Sequence, residues 1–131
     1  MSDAANIGIV QNYVDFLGKG EMDKVGQLLA DDVIWHQPGT SHLSGIYRGK
    51  EKLFAHLGTF MKLSSNTFRV SKVHSVMANE DMVSASLHFE AERDGRKLSM
   101  DGVDVMRIDG GKIKEVWLFS GDQALEDAFW T

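Results

Sequence analysis

The sequence predicts an α+β fold in which a curved antiparallel sheet of four main strands carries helices on its concave side. Three observations point there. The apolar period changes once along the chain, from helical spacing in the first half to strict alternation in the second. Two glycine turns, Asp94-Gly95 and Asp109–Lys112, set hairpins within that second half. Finally, 131 residues, 43% of them hydrophobic with a single proline, suffice for one core, so residues 1–131 are expected to form one domain.

The elements follow in order. Ile9, Val10, Tyr13, Val14 and Leu17 recur at helical spacing between Asn6 and Leu17, and Gly18-Lys19-Gly20 ends that run. Met22, Val25, Leu28 and Leu29 mark a short second helix, and Asp31–Trp35 reads as a brief strand. Pro38 stops it, Gly39 and Gly45 permit turns, and the loop enters a third helix near Lys50 with Leu53, Phe54, Leu57, Phe60 and Met61 on its apolar stripe. Residues 67–78 form the next strand, turning at 79–81.

The hairpins then fix a register. With Asp94 and Gly95 as a two-residue loop, Glu92 faces Lys97, Ala91 faces Leu98, Phe89 faces Met100, Leu87 faces Gly102, Ala85 faces Asp104 and Val83 faces Met106. One face is thereby almost wholly apolar and the other polar, as a half-buried sheet requires. The second turn pairs Ile108 with Ile113, Met106 with Glu115, Asp104 with Trp117 and Gly102 with Phe119. A last helix follows Asp122, which reads as its N-cap.

Composition excludes several functions. A net charge of −5 gives no electrostatic footprint for nucleic acid or for an anionic membrane surface, so neither is an expected partner. Without cysteine there is no disulfide, thiolate nucleophile or thiolate metal site. The histidines lack the spacing of a metal pair, so no metal and no other cofactor is expected. The N-terminus lacks a signal-peptide pattern and no apolar run is long enough to span a bilayer, which makes a soluble cytoplasmic protein the expectation.

One residue needs explaining. The register surrounds Asp104 with Leu98, Met100, Met106, Ile108 and Trp117. An unpaired carboxylate buried there costs several kcal/mol, so such a group holds its proton or finds donors. Two readings stand: a neutral acid that donates to a developing oxyanion, or a core group bonded to a buried tyrosine or tryptophan.

The residues resemble a known family at this point. "SMDGVDVMRIDGGKIKEVWLF" is similar to the last two strands of the ketosteroid isomerases, and "ADDVIWHQPG" to their first strand and following loop. Tyr13 lies where those enzymes carry their oxyanion-hole tyrosine, and Asp104 falls on their oxyanion-hole aspartate. "WHQPG", "GIYRG" and "DQALEDAFW" resemble the SnoaL-like branch more closely. The resemblance covers nearly the whole chain and implies the cone-shaped, cystatin-like fold of the nuclear transport factor 2 (NTF2-like) superfamily, with a pocket between sheet and helices. It also implies a ketosteroid isomerase-like or polyketide cyclase-like activity, and the dimers common among such proteins. Motifs of this kind specify fold far better than reaction.

There is one departure. Where the isomerases carry the aspartate that shuttles a proton, this chain has Gln37, and an amide is no general base. In a regular strand Trp35 and Gln37 share the pocket face while His36 points away; a bulge before Pro38 would turn His36 inward as a catalytic base. His42 either overhangs the pocket mouth or is solvated. Glu115 is placed inward, near Met106 and Trp117, as a second proton carrier, or is reached by solvent at the sheet's open end. Asp122 is a helix cap or, by loose analogy with the polyketide cyclases, an acid/base.

The expected catalytic set is therefore Tyr13, Asp104 and His36, with Trp35, Gln37, His42, Phe54, Met100, Glu115, Trp117 and Asp122 touching a small apolar molecule. A cavity without a competent base would instead make a non-catalytic binding protein. On the other face, Val103, Val105, Val116 and Leu118 form a patch too apolar for water, so a homodimer is expected.

Overall fold

The computed structural model describes residues 3–131. Its elements run α1 (Asp3–Gly18), α2 (Met22–Leu28), β1 (Leu29–Gln37), β2 (Gly45–Arg48), α3 (Lys50–Leu63), β3 (Arg69–Asn79), β4 (Met82–Arg93), β5 (Arg96–Asp109), β6 (Lys112–Ser120) and α4 (Gln123–Trp130). The strands make one curved, unclosed sheet in the order β2-β1-β6-β5-β4-β3, antiparallel throughout except where β1 runs parallel to β6. The four expected main strands are β3 to β6. Two more join them because β1 extends beyond its expected end at Trp35, and Gly45–Arg48 folds back to pair with Ile34–Gln37.

Side chains from the helices bury against the inner face of the sheet. Val10, Tyr13 and Val14 of α1, Val25 of α2 and Leu53 of α3 meet Val33 and Trp35 of β1, Val83 and Ala85 of β4, Met106 and Ile108 of β5 and Val116 of β6. A second cluster joins Phe60, Leu87, Phe89, Leu98 and Met100 to Phe129 and Trp130 of α4. Each large apolar side chain so enclosed contributes about 1.5–3 kcal/mol. Among the described residues no helix is long and apolar enough to cross a membrane.

The first hairpin has the expected register at every pair from Glu92 with Lys97 to Val83 with Met106, and positive φ at Asp94 (52°) and Gly95 (76°) closes its tight turn. The second departs from expectation. Ile108 pairs with Ile113, but Arg107 pairs with Glu115 and Met106 with Val116, which leaves Lys114 as the extra residue of a β-bulge. Asp104 therefore faces Leu118, not Trp117, and Gly102 faces Ser120, not Phe119.

Because strand side chains alternate, a slip of one residue exchanges the two faces. Val116 and Leu118 turn inward, and Glu115, Trp117 and Phe119 turn outward. The expected outer patch is corrected accordingly. Val116 is fully buried, and the outer face shows Val103, Val105, Trp117 and Phe119, with Ile46 of β2 on the same side. Ile46 and Phe119 are 55% and 59% exposed.

Candidate active site

A cavity of about 700 Å³ lies between the helices and the inner face of the sheet, within the range of small-molecule sites. Its lining is mostly apolar, with Leu17, Phe54, Leu57, Phe68 and Leu118 among the contributors. The exposed residues of its wall are Gly18 at the end of α1, Lys19 and Gly20 after it, Gly58 of α3, Asn66 and Arg69 before and at the start of β3, and Phe119 of β6. Polar side chains stand among the apolar ones: Tyr13, Gln37, Asp104, Ser120 and Glu126, with Thr67 next to Asn66.

Tyr13 reaches the cavity because it shares the buried stripe of α1 with Val10 and Val14. It is 1% exposed, yet its hydroxyl has no hydrogen-bond partner among the described residues. Burial, and then the charge of Asp104, push the phenol up from its ordinary range, so it is a donor. Asp104 sits on the inner face of β5 between Ala85 and Leu118. Its carboxyl makes no side-chain hydrogen bond to another described residue. Burial, and then the charge of Glu126, raise it to about 7. A protonated, donating form therefore persists close to neutral pH.

Gln37 is locked. Its Oε1 accepts from Trp35 Nε1 at 3.0 Å and from His56 Nε2 at 2.9 Å. An indole nitrogen only donates, so the amide atom facing it must be oxygen, and His56 must donate from Nε2. His56 is 4% exposed, stacked on Tyr47 with ring centroids 3.8 Å apart, and burial lowers it to about 4. It is thus neutral, with Nδ1 unprotonated. The Gln37 NH2 group remains as a donor at the cavity wall.

Glu126 stands on the buried face of α4 with Phe129 and Trp130 and is 6% exposed. Ser120 Oγ donates to its Oε1 at 2.6 Å, Gln123 Nε2 to the same atom at 3.2 Å, and Trp130 Nε1 to Oε2 at 3.4 Å. Its neighbour Asp127 faces elsewhere and accepts from the Thr40 amide and hydroxyl at 2.9 and 3.1 Å, which ties the loop after β1 to α4.

Of the expected site residues, Tyr13, Asp104, Trp35, Gln37 and Phe54 meet at this cavity. The others do not. His36 is corrected: β1 stays regular at its end, so His36 points to the outer face, where it stacks on Trp117 (5.3 Å, 5° between planes) and donates from Nε2 to Glu115 Oε2 at 2.6 Å. The bulge at Lys114 carries Glu115 and Trp117 to that outer face, and Glu115 lies 3.8 Å from Arg107 there. His42 is exposed on the loop, and Met100 is sealed in the second cluster. Asp122 is the helix cap, accepting from the Leu125 amide at 3.1 Å. His88 pairs with Asp101 on the outer face as the register implies, and His74 joins the same carboxylate.

Two residues of the site escape sequence reasoning. Glu126 lies three and four residues before Phe129 and Trp130, so an acid on the apolar stripe of the last helix was its signal. His56 gave only the weak sign of lying one position off the stripe of α3. Among the described residues no group of three or more acidic or histidine side chains is arranged to hold a metal.

The profile of the SnoaL-like domain matches residues 10–116. A protein of unknown function with a cystatin-like fold from Xanthomonas campestris is 42% identical, covers 95% of this chain and 97% of its own, and superposes with a TM-score of 0.92. An NTF2-like protein from Burkholderia xenovorans LB400 is 20% identical over 100% of this chain and 99% of its own, with a TM-score of 0.82, a likeness of fold alone. An uncharacterised protein of Mycobacterium tuberculosis is 28% identical over 99% of both chains.

Proposed function

The chain belongs to the SnoaL-like domain family, and on that premise we propose that it is an isomerase- or cyclase-type enzyme acting on a small, largely apolar carbonyl compound. Proton transfer next to the carbonyl generates an enolate-like oxygen, which Tyr13 and Asp104 stabilise. The observation that carries this reading is a buried tyrosine hydroxyl without a partner beside a carboxyl that keeps its proton to about 7, both at the wall of one apolar cavity. A buried donor left unmade costs about 1–3 kcal/mol, and a ligand oxygen in the cavity removes that cost. Stabilisation of developing charge by donors already in place is commonly the largest single contribution to such catalysis.

A second reading has its own support. Gln37 occupies the position of the isomerase base with its oxygen fully engaged, which suits a binding protein that captures an apolar oxyanion without turning it over. Both readings share one test. β-Naphthol titrated against intrinsic tryptophan fluorescence should bind, with affinity falling about 10–100-fold in Tyr13→Phe and in Asp104→Asn, as loss of a charge-assisted hydrogen bond implies. An affinity unchanged in both variants refutes the oxyanion site. Turnover then separates enzyme from binder.

We also propose a homodimer joined through the outer face, where Ile46 and Phe119 stand exposed beside Trp117, Val103 and Val105. Sedimentation equilibrium decides it, and a monomer at micromolar concentration refutes it.

A further inference from the structure

We propose that Glu126 is the base that takes and returns the proton, in the same cavity wall as the hydrogen-bond donors Tyr13 and Asp104 and in place of the missing aspartate at Gln37. This rests on the enzymatic reading above. A glutamate on the apolar face of a helix is costly unless donors meet it, and three do: Ser120, Gln123 and Trp130. Indole and amide nitrogens only donate, so the arrangement is complementary to a carboxylate and not to a carboxylic acid.

Asp104 has the opposite surroundings. None of the described side chains donates to it, and the negative charge of Glu126 is one of the two causes that hold its proton on. Two carboxyls at one apolar cavity thus have opposite surroundings: donors meet Glu126, and none of the described side chains donates to Asp104. The site also contains a donor without a partner among the described residues, the nearly inaccessible Tyr13 hydroxyl, so the cavity is suited to receive an oxygen.

Glu126 is held firmly enough for the task. Asp122 caps the start of α4, while Arg93 and Arg96 donate to the Phe129 carbonyl at 3.0 and 3.4 Å, fastening the end of the helix to the β4–β5 hairpin. The weaker of its contacts, 3.4 Å from Trp130 Nε1, falls on Oε2 and leaves that oxygen the freer to bind a proton.

The step balances without a co-reactant. A C–H bond next to the substrate carbonyl breaks, its proton passes to Glu126, and the electron pair moves through a new C=C bond onto the carbonyl oxygen. Tyr13 and Asp104 donate to that oxygen. Glu126 then gives a proton back to carbon, at the same atom after the carboxyl has traded its proton with solvent in exchange, or at a conjugated one in isomerisation, and the electron pair re-forms C=O.

The test is α-hydrogen exchange of β-tetralone in D2O, followed by proton NMR, with the naphthol titration run beside it. Wild-type protein should catalyse the exchange, and Glu126→Gln should slow it at least ~100-fold, the lower end for general-base catalysis, while naphthol is still bound. Glu126→Asp keeps the charge but withdraws it by one methylene. It should slow exchange about tenfold or more, and it decides the matter if the glutamine variant does not fold. Wild-type exchange rates in both variants overturn the role of Glu126 and leave the oxyanion site standing. Naphthol binding that depends on Tyr13 and Asp104 without any wild-type exchange overturns the base and selects the binding protein. Naphthol affinity indifferent to Tyr13 and Asp104 overturns the underlying reading.

Discussion

Replacing Asp104 with asparagine should tilt the pH dependence of stability in a direction that is calculable. In the folded chain the Asp104 carboxyl titrates at about 7, against 3.8 for the free group. Between those values the unfolded chain has lost a proton that the folded chain keeps, so folding is favoured less as pH rises. The slope is about 1.4 kcal/mol per pH unit, and across about three units the contribution present below pH 4 shrinks by about 4 kcal/mol by the time pH passes 7. Asparagine has no proton to hold, so the stability of wild type minus that of Asp104→Asn should decline by this amount over the window.

The wild-type curve alone will conceal the effect. His56 titrates at about 4 when folded and 6.5 when free, so its contribution is present above 6.5 and is lost as pH falls toward 4. That loss is worth about 3 kcal/mol and has the opposite sign, so between pH 4 and 6.5 the two slopes nearly cancel. The assay is urea unfolding by tryptophan fluorescence at half-unit steps from about pH 4 to 8, reported as the difference between variant and wild type. A difference that changes by less than about 1 kcal/mol across the window means that Asp104 is hydrated and ionises as in the unfolded chain, and the neutral donor disappears from the mechanism.

Four further outcomes are expected. His56→Gln should give a difference curve of the opposite sign to that of Asp104→Asn, changing between pH 6.5 and 4 in the same urea series. Tyr13→Phe removes a buried hydroxyl without a partner, so it should raise the unfolding free energy by about 1 kcal/mol while weakening naphthol binding, a separation that fluorescence measures in both modes. Asp122→Ala should cost about 1 kcal/mol by urea midpoint through loss of the cap and leave naphthol affinity unchanged, since Asp122 does not reach the cavity. Gly102→Ala should cost about 1–3 kcal/mol by the same midpoint. A Cβ there would stand 2.8 Å from the Phe119 carbonyl oxygen and 3.0 Å from the Phe89 ring.

The pairing of β4 with β5 was legible because a two-residue Asp-Gly turn admits one register, and a slip would have exposed Leu98, Met100 and Met106. The pairing of β5 with β6 is not legible in the same way, because the longer Asp109–Lys112 turn does not by itself reveal the extra residue at Lys114. The clue was chemical: the unbulged register placed the Glu115 carboxylate in an apolar face while sending Val116 and Leu118 to solvent. Tyr13 and Asp104 were found because each occupies an inward position in a strongly periodic element. Glu126 is not legible in the same way, because cap residues such as Asp122 are marked by local sequence whereas the cavity wall is assembled from nine elements spread along the chain. His56 illustrates the same limit, since its partner Gln37 lies 19 positions away across a loop.

The grip of Asp127 on Thr40 has a consequence for traffic. It rivets the last helix to the segment that leaves the first strand, and two arginines bolt the other end of that helix to a hairpin. This side of the cavity is a wall and not a door. Traffic into the cavity is left to its exposed rim, to which Gly18 at the end of α1 and Lys19 and Gly20 beyond it contribute.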